Sequence, residues 1–471
     1  MGVTAFTFLL VPLCLLWAMR PDRLLKLMII AQVFEAAAAL TIGTLGVQPG
    51  LLPALTFMGF VLMQLLLGAR FPGDRQTWRL VRPFVCVAVW ALATSYLMPR
   101  LFEGQAYVWP QKEIPPFVTE PLRPTSSNIN QDIYLALDCG LVVLGACFFT
   151  KSRLRLLPFL RIYFLSGLVV AAIAVWQFAS KVAGVPYPND LFYSNPGWAI
   201  LTTQSFGSVP RINATFSEPA ALAGYMASIV CASGWVMLQG HRDTLVRLAF
   251  IAGLGTIALS TSTTGFATLA IIAVGVPIYA LLSGSARMVA MVLKVGVPVF
   301  VLLGLAFFAG DTLVPRFNSS VSQVVNASLD KQHSTSYNDR TDTDADSLTA
   351  AVETYGLGTG WGSNRSSSLV PGILASIGIP GLLGLLWFGA GVTRAVRRAR
   401  RCSASSEQMI VLDGCCGGLF AFILTALISG PTISSVTFYF LLSLLIGCAV
   451  RTELDARPVL PDAVRRVAVP A

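Results

Sequence analysis

A chain of 471 residues with 55% hydrophobic residues, 12% charged residues and a mean hydropathy of +0.70 carries too little polar surface to fold as a water-soluble globule. Its net charge of +10 comes from 33 Lys and Arg against 23 Asp and Glu. The basic residues gather in short loops between apolar stretches, so they read as a topology signal, and no nucleic-acid partner is needed to explain them.

One membrane crossing takes about 20 apolar residues, and roughly thirteen windows of that kind can be read along the chain. They lie near residues 3–19, 24–46, 51–69, 83–98, 132–150, 157–182, 217–239, 248–262, 264–282, 288–309, 370–392, 410–428 and 432–450. The last two read either as a pair of spans or as a re-entrant hairpin. The expected fold class is all-α: a polytopic membrane bundle of about 12–14 transmembrane helices, forming one integral membrane domain over residues 1–471.

Lys and Arg are retained on the cytoplasmic side during insertion. With the amino terminus outside, the groups Arg20–Lys26, Arg70–Arg82, Lys151–Arg161, Arg242–Arg247, Arg287–Lys294, Arg394–Arg401 and Arg451–Arg466 all fall inside, together with the carboxyl terminus. Arg20 follows the first apolar stretch where a cleavable signal would have its charge in front. All nine cysteines fall in spans or cytoplasmic loops, away from the side where disulfides form.

Three outside loops are long: 99–131, 183–216 and 310–369. The first, YVWPQKEIPPFVTEPLRP, reads as an extended connector along the lipid surface. The second ends in RINATFSEPAALAGYM, where Arg211 and Glu218 stand at the entrance of an apolar run and Pro219 suits the first turn of a helix. The third contains LTAAVE, a helix former, with Gly356 at a position suited to a helix C-terminus, and then GLGTGWGSNRSSS. Arg340 is expected before that short helix and Arg365 in the connector after it.

Arginine binds phosphate or carboxylate through a planar two-pronged fork and keeps its charge. A glycine-rich backbone lets amides approach an anion closely. Arg211, Arg316, Arg340 and Arg365 with Gly358, Gly360, Gly362 and Ser363 therefore form a candidate clamp for a lipid-linked phosphate, the alternative being arginines that reach lipid phosphates or pair with outside acids. Glu218 is the candidate general base; it equally suits a helix N-terminus or a pairing with Arg211. Glu35 and Asp138 are the other acids within expected spans, and an interhelical hydrogen bond suits Asp138. His333 reads as a loop residue and His241 as cytoplasmic. Asp342, Asp344, Asp346 and Glu353 match part of a calcium-loop spacing, but Ser347 stands where that loop needs glycine, so an acidic helix start is the simpler reading and no metal site or other cofactor is expected. The sequons at Asn213, Asn318, Asn326 and Asn364 follow from Ser- and Thr-rich loops.

RINATFSEPAALAGYM resembles the signature of Wzy-type bacterial polysaccharide polymerases, an Arg followed by Thr-Phe-x-Glu-Pro and a span. NDRTDTDADSLTAAVETYGLGTGWGSNRSSSLVPGILASIGIPGLLGLL resembles the large outer loop of the same superfamily, which also contains the O-antigen ligases. The likeness runs over residues 200–450. Three departures stand out: SSSLVPGIL lacks the histidine element of ligases, STSTTGFATL lacks an expected arginine, and Arg211 reaches Gly224 only after twelve residues. The resemblance implies a GT-C-like glycosyltransferase in the bacterial inner membrane, which polymerises undecaprenyl-pyrophosphate-linked oligosaccharide repeat units on the periplasmic face. It also implies a flippase and a chain-length regulator as partners. An O-antigen ligase is the near alternative. A lipid-linked oligosaccharide transporter is the distant one, and it would place its polar groups at the membrane midplane.

Overall fold

The computed structural model describes residues 2–43, 45–111, 118–197, 209–241, 243–284, 335–402, 405–430 and 435–456, with isolated positions between these ranges. The helices in chain order are α1 (Ala5–Leu16), α2 (Pro21–Ala31), α3 (Leu51–Leu66), α4 (Asp74–Leu101), α5 (Ser126–Phe149), α6 (Leu157–Ala183), α7 (Asn189–Phe192), α8 (Pro219–Leu238), α9 (Thr244–Ser260), α10 (Thr263–Leu282), α11 (Thr335–Glu353), α12 (Leu369–Arg401), α13 (Ser406–Ile428) and α14 (Val436–Asp455). Eight of these are long and apolar enough to cross a membrane, and α1, α3 and α9 are shorter apolar helices. The protein is a multi-pass, all-α membrane protein.

The expected span over 24–46 is not one helix. Helix α2 ends at Ala31, and the chain continues through a turn containing Glu35 into β2 (Leu40–Ile42) and β3 (Leu45–Val47). These pair antiparallel around Gly43, whose φ of 61° makes the turn, and β1 (Gly2–Val3) adds to the outer edge of β2. β-branched Thr41 and Ile42 favour that extended backbone, and a carboxylate in the middle of the window makes a continuous span costly. The hydroxyl of Thr4 donates to the carbonyl of Ala38, tying the start of α1 to this sheet. Most of the expected span at 288–309 lies outside the described residues.

Helices α8, α13 and α14 are the most enclosed spans and α10 the least. The closest pairings are α13 with α8, α8 with α9, α14 with α5, α6 with α9 and α12 with α4. Small residues permit these approaches: a Cβ on Gly417 of α13 would lie 2.6 Å from the carbonyl oxygen of Cys231 in α8. Between apolar helices in lipid such contact, together with hydrogen bonds across the interface, takes the place of water-driven packing. Tyr163 of α6 shares a 2.7 Å hydrogen bond with Ser228 of α8, and Ser166 shares one of 2.7 Å with Tyr225.

The basic segments meet at one end of the bundle. Arg155 pairs with Glu407 at 2.7 Å, Arg398 with Glu453 at 3.0 Å, and Arg451 donates to the carbonyl of Ser152 at 2.6 Å. Arg400 pairs with the buried carboxylate of Asp413. The long polar loops close the opposite end.

Candidate functional site

At that polar end the segment before α8 is held as a rigid arch. Gln177 of α6 accepts from the amides of Asn213 at 3.0 Å and Ala214 at 2.7 Å. Tyr187 and Tyr193 donate to the carbonyl of Ala214 at 2.8 and 2.6 Å, and Lys181 donates to the carbonyl of Arg211 at 2.6 Å. Ala214 stands at a φ of 49°, unusual for a residue with a Cβ, and the bonds around it hold the strain in place. The arch ends at Glu218, the extended residue in front of α8, with Pro219 in the first helical turn. Pro is tolerated there because that turn has no use for its missing N–H.

The turn after α2 docks against the same arch. The amide of Ala36 donates to the carbonyl of Thr215 at 3.0 Å, and the Thr215 hydroxyl donates to the carbonyl of Val33. This brings Glu35 close to Glu218. Burial, followed by the Glu218 charge, raises the Glu35 carboxyl from 4.5 to about 7. Arg211 lies within electrostatic range of both Glu218 and Arg340: burial lowers its pKa, Glu218 opposes that shift, and Arg340 adds to it. The Arg340 guanidinium also donates to the Ser429 hydroxyl at 3.2 Å, next to the end of α13. Two arginines and two carboxylates, each half-buried, thus converge from three separate parts of the chain.

Arg211, Glu218 and Arg340 are therefore brought together. Arg340 sits inside α11, which begins at Thr335, so the expectation of a short helix starting after Arg340 is corrected. Arg316 and His333 lie outside the described residues. Glu35 was legible only as an acid within a supposed span; its exit from helix at Ala31 is what turns it toward Glu218.

The glycine motif packs against a break in α12. Helix α12 breaks at Gly378, with φ 67° and ψ −170°, ahead of Pro380. Pro380 has no N–H for the carbonyl four residues back, so the break leaves carbonyls without helical partners. Thr359 donates its amide to Ala375 at 2.6 Å, Gly360 donates to Ser376 at 3.1 Å, and the Trp90 indole donates to Ile377 at 2.8 Å. Gly358, at φ 87°, lies so close that an added Cβ would meet the Gly378 nitrogen at 2.8 Å. Gly362 packs on Asn128 and Gln131 of α5, and the Ser363 hydroxyl accepts from Asn128 at 2.8 Å. Of the residues expected to cradle an anion, Gly360 thus gives its amide to α12 and Ser363 gives its own to the carbonyl of Gly360 at 3.1 Å.

Arg365 is held by its backbone amide to the carbonyl of Trp109 at 2.9 Å. Trp109 directly follows β4 (Tyr107–Val108), which pairs antiparallel with β5 (Glu120–Pro121), and its indole donates to Asp346 at 3.0 Å. The described part of the segment 99–131 therefore clasps α11 and the turn after it, where an extended path along lipid was expected. Asp344 accepts from the amides of Ser367 and Ser368 at 2.7 and 3.0 Å and from the hydroxyls of Ser366 and Ser368, capping the start of α12 from outside. Asp344 and Asp346 lie on a helix and serve as structural acceptors, which removes the calcium-loop reading. Among the described residues no group of three or more His, Cys, Asp or Glu forms a metal cluster. Asn213 and Asn364 of the sequons are buried.

No protein-family model matches the chain, and no curated protein matches it either.

Chemically, two guanidinium forks can neutralise a diphosphate. A carboxyl that titrates near neutrality beside a second carboxylate can accept and return a proton.

Proposed function

We propose that the protein is a membrane glycosyltransferase that polymerises undecaprenyl-pyrophosphate-linked oligosaccharide repeat units into a surface polysaccharide on the periplasmic face of the inner membrane. The observation that carries this reading is the convergence of Arg211 and Arg340 with Glu218 and Glu35 at the polar end of the bundle. In the transfer, the hydroxyl of one lipid-linked unit attacks the anomeric carbon of the other. The bond to the pyrophosphate oxygen breaks, the leaving group departs with the electron pair, and the acceptor proton passes to a carboxylate. Arg211 and Arg340 stabilise the departing pyrophosphate, and Glu218 takes the proton. A chain-length regulator and a flippase are the partners such an activity calls for.

The test is complementation of a deletion strain with wild type, Arg211→Ala, Glu218→Gln or Arg340→Ala, with membrane levels checked. The expected deletion phenotype is single repeat units, and normally inserted variants should leave polymer reduced by about a hundredfold or more, the scale of a lost acid–base group. Full-length polymer left on its lipid carrier would identify a ligase instead. Unaffected polymer would sink the family reading.

A further inference from the structure

A cavity of about 540 Å³ lies behind the arch, between the last turns of α6 and the α7 turn. That size falls within the roughly 300–1,000 Å³ typical of small-ligand pockets. Two kinds of group line it. Gln177, Lys181, Tyr187 and Tyr193 are committed to the backbone of residues 211–214 and make a fixed wall. Ser180, Asn189 and Asp190 make no side-chain hydrogen bond with the described residues, and Asn189 and Asp190 are exposed, so a hydroxyl, an amide and a carboxylate are open to a ligand. Tyr187 also belongs to an aromatic group, with ring centroids 5.5 Å from Trp176 and 5.3 Å from Phe192.

The chemistry of this lining discriminates between ligands. Lys181 and Asp190 put one charge of each sign in the lining, so neither an anion nor a cation is favoured by net charge, and the density of polar groups opposes an acyl chain. A neutral, hydroxyl-rich ring satisfies both conditions, since it offers donors and acceptors to the amide and carboxylate and apolar C–H faces to the tyrosine. We propose that the cavity binds the saccharide portion of the substrate, separated from the arginine and glutamate cluster only by the arch that both share. This rests on the polymerase reading and extends it to the part of the substrate that carries no phosphate.

Purified full-length protein in nanodiscs would be titrated with neutral oligosaccharides released from bacterial surface polysaccharides by mild acid and freed of lipid and phosphate. Inorganic pyrophosphate would be titrated separately. Asn189→Ala and Asp190→Ala should weaken oligosaccharide binding by about tenfold or more, the worth of one or two hydrogen bonds, and leave pyrophosphate binding unchanged. Arg211→Ala should do the reverse, since its backbone carbonyl remains in the wall. Asn189 and Asp190 are exposed, so neither substitution empties the core. Equal oligosaccharide affinity in wild type and Asp190→Ala, or no oligosaccharide binding to wild type, overturns the saccharide site. Asp190-dependent oligosaccharide binding in a protein whose deletion leaves polymer unaffected leaves the site standing and removes the polymerase reading.

Discussion

Glu35 is the residue whose environment departs furthest from its sequence neighbourhood. Its carboxyl is protonated in the folded protein up to about pH 7 and loses its proton near 4.5 when exposed, so folding takes up a proton between those values. The stability it supports is complete below about 4.5 and is lost as pH rises toward about 7. Glu35→Gln removes that dependence. The unfolding free energy of the variant, minus that of wild type, should grow between these pH values and level off above them, with a plateau on the order of 2–3 kcal/mol for a half-buried carboxyl. A difference independent of pH would show that Glu35 is freely hydrated. Glu218 could be singled out from sequence because Pro219 marks a helix start beside it. Glu35 could not, because nothing local reveals that Thr215, far along the chain, holds the turn that contains it.

At the scale of elements, the break in α12 and the turn that fills it form one unit. Gly358→Ala puts a Cβ at φ 87° against the backbone of Ser376 and Gly378, both immovable. The expected result is a loss of about 2 kcal/mol or more, read as a lower melting temperature and lower membrane levels, with pyrophosphate affinity of the surviving protein unchanged. A stable Gly358→Ala protein with weakened pyrophosphate binding would restore the anion-cradle reading. The apolar windows made most of the spans legible, and the glycines marked a place of close backbone approach. What the backbone approaches was not legible, because the partner carbonyls come from a proline-broken helix that hydropathy reads as one continuous span. The β2–β3 hairpin was hidden for the same reason: apolar windows count hydrophobicity and are blind to hydrogen-bond direction.

For the whole molecule, the basic end and the polar end predict a single orientation. In a background lacking the other cysteines, Cys402, at the end of α12 beside Arg400 and Arg401, should react with a membrane-impermeant maleimide only after cells are permeabilised. A cysteine replacing exposed Arg123 should react in intact cells. The opposite pattern would put the candidate site on the cytoplasmic face and remove the proposed substrate.

The hydrogen bond from Arg340 to Ser429, in a cluster that also holds Glu35, has a consequence in time. Glu35 leaves the ribosome near the start of synthesis, and Ser429 follows only when 429 of 471 residues have been made. Arg211 and Glu218 are made within eight residues of each other, whereas the contact that fixes Arg340 closes only after nearly every helix has been inserted. Whatever keeps Arg340 from settling into lipid or onto a wrong partner in that interval is part of how this protein is built.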